Sequence, residues 1–135
     1  MNKISTDRLT SIIPNEGNPS YTMVHGKQHT IQRTISCIGV ALHTGDKVSL
    51  TLHPAELNTG IIFRRTDLKG SNNILASWDN VVDTRLSTKV GNDEGATVGT
   101  IEHLMAALSG CGVDNAYIEL NGPEVPVMDG SAQPF

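Results

Sequence analysis

The sequence predicts an α+β fold, a two-layer sandwich of mostly antiparallel sheet packed on helices. Three observations carry this. Short β-branched stretches with alternating polarity recur between Gly-, Asn- and Pro-containing turns, which is the pattern of strands. One stretch after Gly99 instead places Ile101, Leu104, Met105 and Leu108 at i, i+3, i+4 and i+7, the stripe of an amphipathic helix. Strands and helices are segregated along the chain rather than alternating as βαβ units. The 135 residues are enough for one domain, which at this size can bury roughly two thirds of its unfolded surface.

Residues 1–28 read as a flexible N-terminal arm. They are polar, carry Pro14, Gly17, Pro19 and Gly26, and suggest at most a short helix near Ser5–Ile12. No apolar core of a secretory leader is present in them. The domain then runs over 29–135. Thr30–Ile38 is β-branched and partly alternating, and predicts a strand. His43-Thr44-Gly45-Asp46 is a turn, and Val48–Leu52 alternates cleanly as a second strand, antiparallel to the first and ended by Pro54. Asn58-Thr59-Gly60 turns into a third strand, Ile61–Arg65. Ala76–Val90 reads as extended, and Gly91-Asn92-Asp93-Glu94-Gly95 as a hairpin end. The helix over Thr100–Ser109 has Thr100 as N-cap and Gly110 and Gly112 as stop signals. Asp114–Leu120 is a further strand, Glu124–Val127 a short edge segment, and Asp129 or Ser131 the cap of a second helix. A capped helix with so few residues after it cannot offset its own nucleation cost, so either the natural polypeptide continues past Phe135 or this end is frayed.

Composition excludes several classes. The net charge of −4 and the lack of a basic run argue against a nucleic-acid partner. No apolar run approaches the ~18 residues of a membrane span. Cys37 and Cys111 lack metal-site spacing and read as reduced thiols, consistent with a cytoplasmic location.

Within the helix, His103 falls roughly 150–160° from the centre of the apolar stripe. Glu102 points between the two, in the first turn. Thr100, Ala106 and Ala107 surround His103 with small side chains, leaving room above the ring. Periodicity alone leaves two readings open. One is a solvent-exposed histidine beside a glutamate that favours the helix dipole. The other is a metal ligand with an adjacent general base, as in several metallohydrolases.

Four motifs stand in order: His43-Thr44-Gly45, Asn58 to Leu68 (NTGIIFRRTDL), Thr100 to Leu108 (TIEHLMAAL) and Gly122 to Ala132 (GPEVPVMDGSA). Together they resemble the N-terminal half of the UDP-3-O-acyl-N-acetylglucosamine deacetylases, zinc amidases of lipid A biosynthesis in Gram-negative bacteria. The resemblance covers about residues 29–135. It implies the first of two similar α+β domains with the active site between them. It implies that His103 is one of three zinc ligands and Glu102 the general base. It also implies that Leu86, Ser87 and Thr88 line the acetamido and acyl region of the substrate, with His43 near the same cleft. The substrate implied is UDP-3-O-acyl-N-acetylglucosamine and the products are a free amine and acetate. The family's other two zinc ligands lie in its second half, and none of them is present here. His25 and His29 are expected to be solvated, and His53 structural or exposed. This chain alone is therefore expected neither to hold zinc tightly nor to deacetylate, and to need the missing C-terminal domain as partner. The alternative is a truncated paralogue acting as a non-catalytic binding or regulatory module, with Val125–Met128 and Leu86 as an exposed partner patch.

Overall fold

The structure, a computed structural model, describes residues 7–15 and 18–135, with side chains from residue 26 onward. A five-stranded sheet holds β3 (Ile35–Val40), β4 (Lys47–Pro54), β5 (Ile61–Arg65), β6 (Asn73–Leu75) and β10 (Ala116–Leu120), in the order β3-β4-β10-β5-β6. All its pairs are antiparallel except β10 with β5. A three-stranded antiparallel sheet holds β7 (Val81–Asp83), β8 (Lys89–Gly91) and β9 (Thr97–Val98). The single α-helix among the described residues is α1 (Glu102–Gly110). It is too short to cross a membrane, and no helix of the described residues is long and apolar enough to do so.

Alternation decides which face of the large sheet is buried. Val48, Leu50 and Leu52 of β4, Ile61 and Phe63 of β5, and Ala116, Ile118 and Leu120 of β10 point inward. They share one cluster with Leu104 and Leu108 from the helix, Ile101 just before it, and Val90 and Val98 from the small sheet. The predicted helical stripe is therefore the face that packs. The opposite face of the sheet carries a polar ladder, in which His53 and Arg64 both contact Glu119 (3.1 and 3.2 Å). Arg65 is the exception on the inner face. Its buried guanidinium forks onto Asp67 (2.8 and 2.6 Å) and donates to the Thr97 carbonyl (2.7 Å), tying the large sheet to the small one.

The helix ends as the glycine signal predicts. Gly112 has φ +69°, its N–H reaches the Ser109 carbonyl, and the Val113 N–H reaches that of Leu108. This is a Schellman closure, with Leu108 and Val113 meeting in the core. The helix start differs. Thr100 is not the N-cap; Ile101 precedes the first helical residue and no side chain caps it. The Thr100 hydroxyl is committed to Glu124 instead.

Other boundaries also differ from expectation. Residues Asp7–Asn15 (β1) are a strand paired antiparallel with β2 (Asn18–Lys27), not the short helix suggested near Ser5–Ile12; Ser5 and Thr6 lie outside the described residues. Ile12 and Ile13 are β-branched and favour the extended state. The strand predicted at Thr30–Ile38 begins only at Ile35, because the Thr30 hydroxyl is bound to the Asn115 carbonyl and the Ala55 N–H. Ala76–Val90 is broken by a 3₁₀ turn at Trp78–Asn80 and by a loop over 84–88. That loop starts where the Asp83 carboxylate binds the Arg85 backbone and guanidinium. The predicted turn at 91–95 is present, with the Asn92 side chain accepting from Glu94 and Ala96.

No second helix follows Asp129. The Asp129 carboxylate accepts from the N–H and hydroxyl of Ser131, and Gly130 sits at φ +85°, so the capping chemistry closes a turn instead. Glu124–Val127 is not an edge strand but a stitch between the sheets. Val125 N–H bonds to Gly99 and Val127 N–H to Val40. Gly39 permits the close approach, since a Cβ there would lie 2.7 Å from that of Pro126. Val125 and Pro126 are thus buried and offer no partner patch, whereas Leu86 is 85% exposed.

Candidate functional site

A cavity of about 570 Å³ opens between the turn after β3, the β7–β8 loop and the lead into α1. His43, Arg85, Leu86, Ser87, Lys89 and Glu124 are among its walls. Its floor is built around one carboxylate. Glu124 is 4% exposed. It receives the Thr100 hydroxyl at 2.7 Å, His43 Nδ1 at 2.7 Å, and the backbone N–H groups of His43 (3.2 Å) and Thr44 (3.4 Å). Burial pushes the Glu124 carboxyl up, but the hydrogen bonds from Thr100 and His43 outweigh it, and the net shift is below the ordinary value. Glu124 is therefore an ionised group held by donors on every side.

Thr100 reaches it from an unusual backbone. Its φ is +55°, and it is 2% exposed. A β-branched residue in that region is disfavoured by about 1–3 kcal/mol, so the surrounding structure must enforce it.

The helix presents the second half of the site. Glu102 accepts the Thr88 backbone N–H at 3.1 Å, and the Ile101 N–H reaches the Thr88 carbonyl at 3.4 Å. The β7–β8 loop is thereby clipped to the start of α1. His103 is partly buried, outside the aliphatic cluster. Its Nδ1 is closed off from solvent with no hydrogen-bond partner among the described residues. The Asp129 carboxyl is lowered mainly by its hydrogen bonds from Ser131.

His43, Leu86 and Ser87 thus line the cavity as a group. Thr88 does not line it and enters through its backbone contact to Glu102. Glu102 and His103 lie beside the cavity rather than on its wall. Sequence reasoning missed Glu124 and Thr100. Glu124 falls in a stretch that reads as a short edge segment, and Thr100 reads as the helix N-cap. Among the other histidines, His29 and His53 are both partly exposed and held by Asp114 and Glu119; the His25 side chain lies outside the described residues.

A catalytic zinc takes three protein ligands and leaves one position open. No group of three metal-binding side chains occurs among the described residues. His103, with a buried nitrogen that has no partner among the described residues and Glu102 preceding it in the chain, fits as one such ligand.

The relatives named here are of one class, the deacetylases. The family model described as "LpxC: UDP-3-O-acyl N-acetylglycosamine deacetylase" matches residues 28–135, and the chain belongs to that family. It is 56% identical over 108 residues to the UDP-3-O-acyl-N-acetylglucosamine deacetylase of Geobacter sp. (strain M21), covering 80% of this chain and 35% of that protein. The protein of the same name from Acidithiobacillus ferrooxidans is 55% identical over 109 residues, with 81% and 36% covered. That of Neisseria meningitidis serogroup C (strain 053442) is 56% identical over 110 residues, with 80% and 36% covered. The chain spans about 35% of the length of the curated relatives it matches.

Proposed function

We propose that this chain carries the N-terminal half of a zinc-dependent deacetylase that hydrolyses the N-acetyl amide of UDP-3-O-acyl-N-acetylglucosamine in the cytoplasm, an early step of lipid A biosynthesis. The observation that supports it most is the Glu102–His103 pair, a carboxylate fixed by a backbone donor next to an imidazole with an unpartnered buried nitrogen. In this reading residues 29–135 are the family's first α+β domain, and residues 1–28 an arm outside it.

Zinc, when bound, supplies Lewis acidity that polarises the amide carbonyl and acidifies water. His103 contributes one ligand. Glu102 takes a proton from the attacking water and returns it to the leaving amine, so that acetate and a free amine result. The Thr88 N–H aids this role by holding the carboxylate in place. Leu86, Ser87 and Thr88 bound the acyl and acetamido region, and His43 faces the substrate from the far side. The remaining zinc ligands come from a second domain.

The test is a chimera. Residues 28–135 replace the matching segment of the Geobacter protein, and acetate release and zinc content are measured beside those of the chain alone. The chimera should turn over with about one zinc per chain. The isolated chain should show no turnover and hold well under one zinc. Stoichiometric zinc and turnover in the isolated chain, or an inactive but folded chimera, would refute the assignment.

A further inference from the structure

We infer that Glu124 is a positioning residue for His43, fixing the imidazole so that Nε2 is the atom it offers to a ligand in the cavity. The argument begins with donor and acceptor roles. An ionised carboxylate only accepts hydrogen bonds. Its Oε1 lies 2.7 Å from His43 Nδ1, so Nδ1 carries the proton. The neutral ring then has its lone pair on Nε2, as in other histidines oriented by a carboxylate.

Two further observations show that the arrangement is built rather than incidental. Glu124 also binds the backbone N–H groups of His43 and Thr44, so the carboxylate grips the peptide as well as the ring it orients. Thr100 adopts a left-handed backbone unfavourable to a β-branched residue, and its hydroxyl ends on the same Glu124 oxygen. The His43 side chain remains 37% exposed while the glutamate side chain beneath it is 5% exposed. A buried orienting group under a half-open ring on a cavity wall is the geometry of a contact residue with its support. With Nε2 as acceptor, the ligand chemistry it suits is a hydroxyl or amide N–H. The sugar of the substrate proposed above supplies such groups, and the inference rests on that reading for its ligand.

The experiment is long-range ¹⁵N–¹H correlation spectroscopy on the histidine-labelled chain without ligand, above the ring's titration. His43 is expected as a single Nδ1–H tautomer, with a protonated-type Nδ1 and an unprotonated-type Nε2 shift. In Glu124→Ala the two shifts should move toward each other as the tautomers mix. An Nε2–H ring in the wild-type chain overturns the inference, and so does a folded Glu124→Ala chain that keeps the pure Nδ1–H form. If that variant fails to fold, the wild-type spectrum decides alone. The wrong tautomer with an active chimera sinks this inference and leaves the deacetylase reading standing. The expected tautomer with an inactive chimera does the reverse.

Discussion

Two histidines, one on the cavity wall and one beside the cavity, are in opposite conditions. His43 is complete within the chain: its Nδ1 is held at 2.7 Å by a buried glutamate that is itself held by Thr100 and two backbone N–H groups. His103 has a buried nitrogen with no partner among the described residues. A satisfied polar network adds rigidity, whereas an orphaned buried donor or acceptor costs stability. The cavity wall is thus closed within the chain, whereas the helix carries a polar atom whose partner is not among the described residues.

The largest effect should come from the helix side, in activity. Glu102→Gln in the chimera should lower kcat at least about 100-fold, the scale of a lost general base. Its stability should change by under about 0.5 kcal/mol, because the glutamine carbonyl still accepts the Thr88 N–H. Activity assays paired with urea melts check both halves. Next is the cavity side, in stability. Glu124→Ala should cost about 2–4 kcal/mol, since it strands a hydroxyl, a ring N–H and two backbone N–H groups together. The urea midpoint should fall with an unchanged m-value. Thr100→Val should cost about 1–2 kcal/mol in the same assay, one buried hydrogen bond with the strained backbone retained. His103→Ala should cost less than either cavity variant, under about 1 kcal/mol, because no hydrogen bond is lost. If His103→Ala proved as damaging as Glu124→Ala, the contrast between the two would be gone.

Acid should separate the regions as well. The Glu124 carboxyl lies below its ordinary value of 4.5 in the folded chain. The unfolded chain therefore takes up that proton first as pH falls. The stabilisation is complete above the ordinary value and is lost as pH drops through the folded one. Urea melts from neutral pH downward should show this loss, and it should be smaller in Glu124→Gln.

The strands β4, β5 and β10 were legible because strict alternation over a half-buried sheet leaves little freedom, and Leu50, Phe63 and Ile118 fall where that pattern puts them. The helix face was legible for the same reason at another period. The floor of the cavity was not. Glu124 is separated from His43 by 81 residues, and no local pattern links them. Thr100 was misread because a threonine before a helix so often caps it, whereas here a partner distant in sequence claims the hydroxyl. The second-helix signal at Asp129 was real capping chemistry, but it closes a turn around Gly130.

The Thr88 peptide has a consequence for selectivity. In the function proposed above, the segment bounding the acyl region and the carboxylate that shuttles the proton are joined by one N–H donor, that of Thr88 to Glu102. A tail too bulky for Leu86 and Ser87 would drag that peptide outward and release Glu102 from its aim. Poor fit at the far end of a lipid-bearing molecule would then register as slow chemistry rather than as weak affinity.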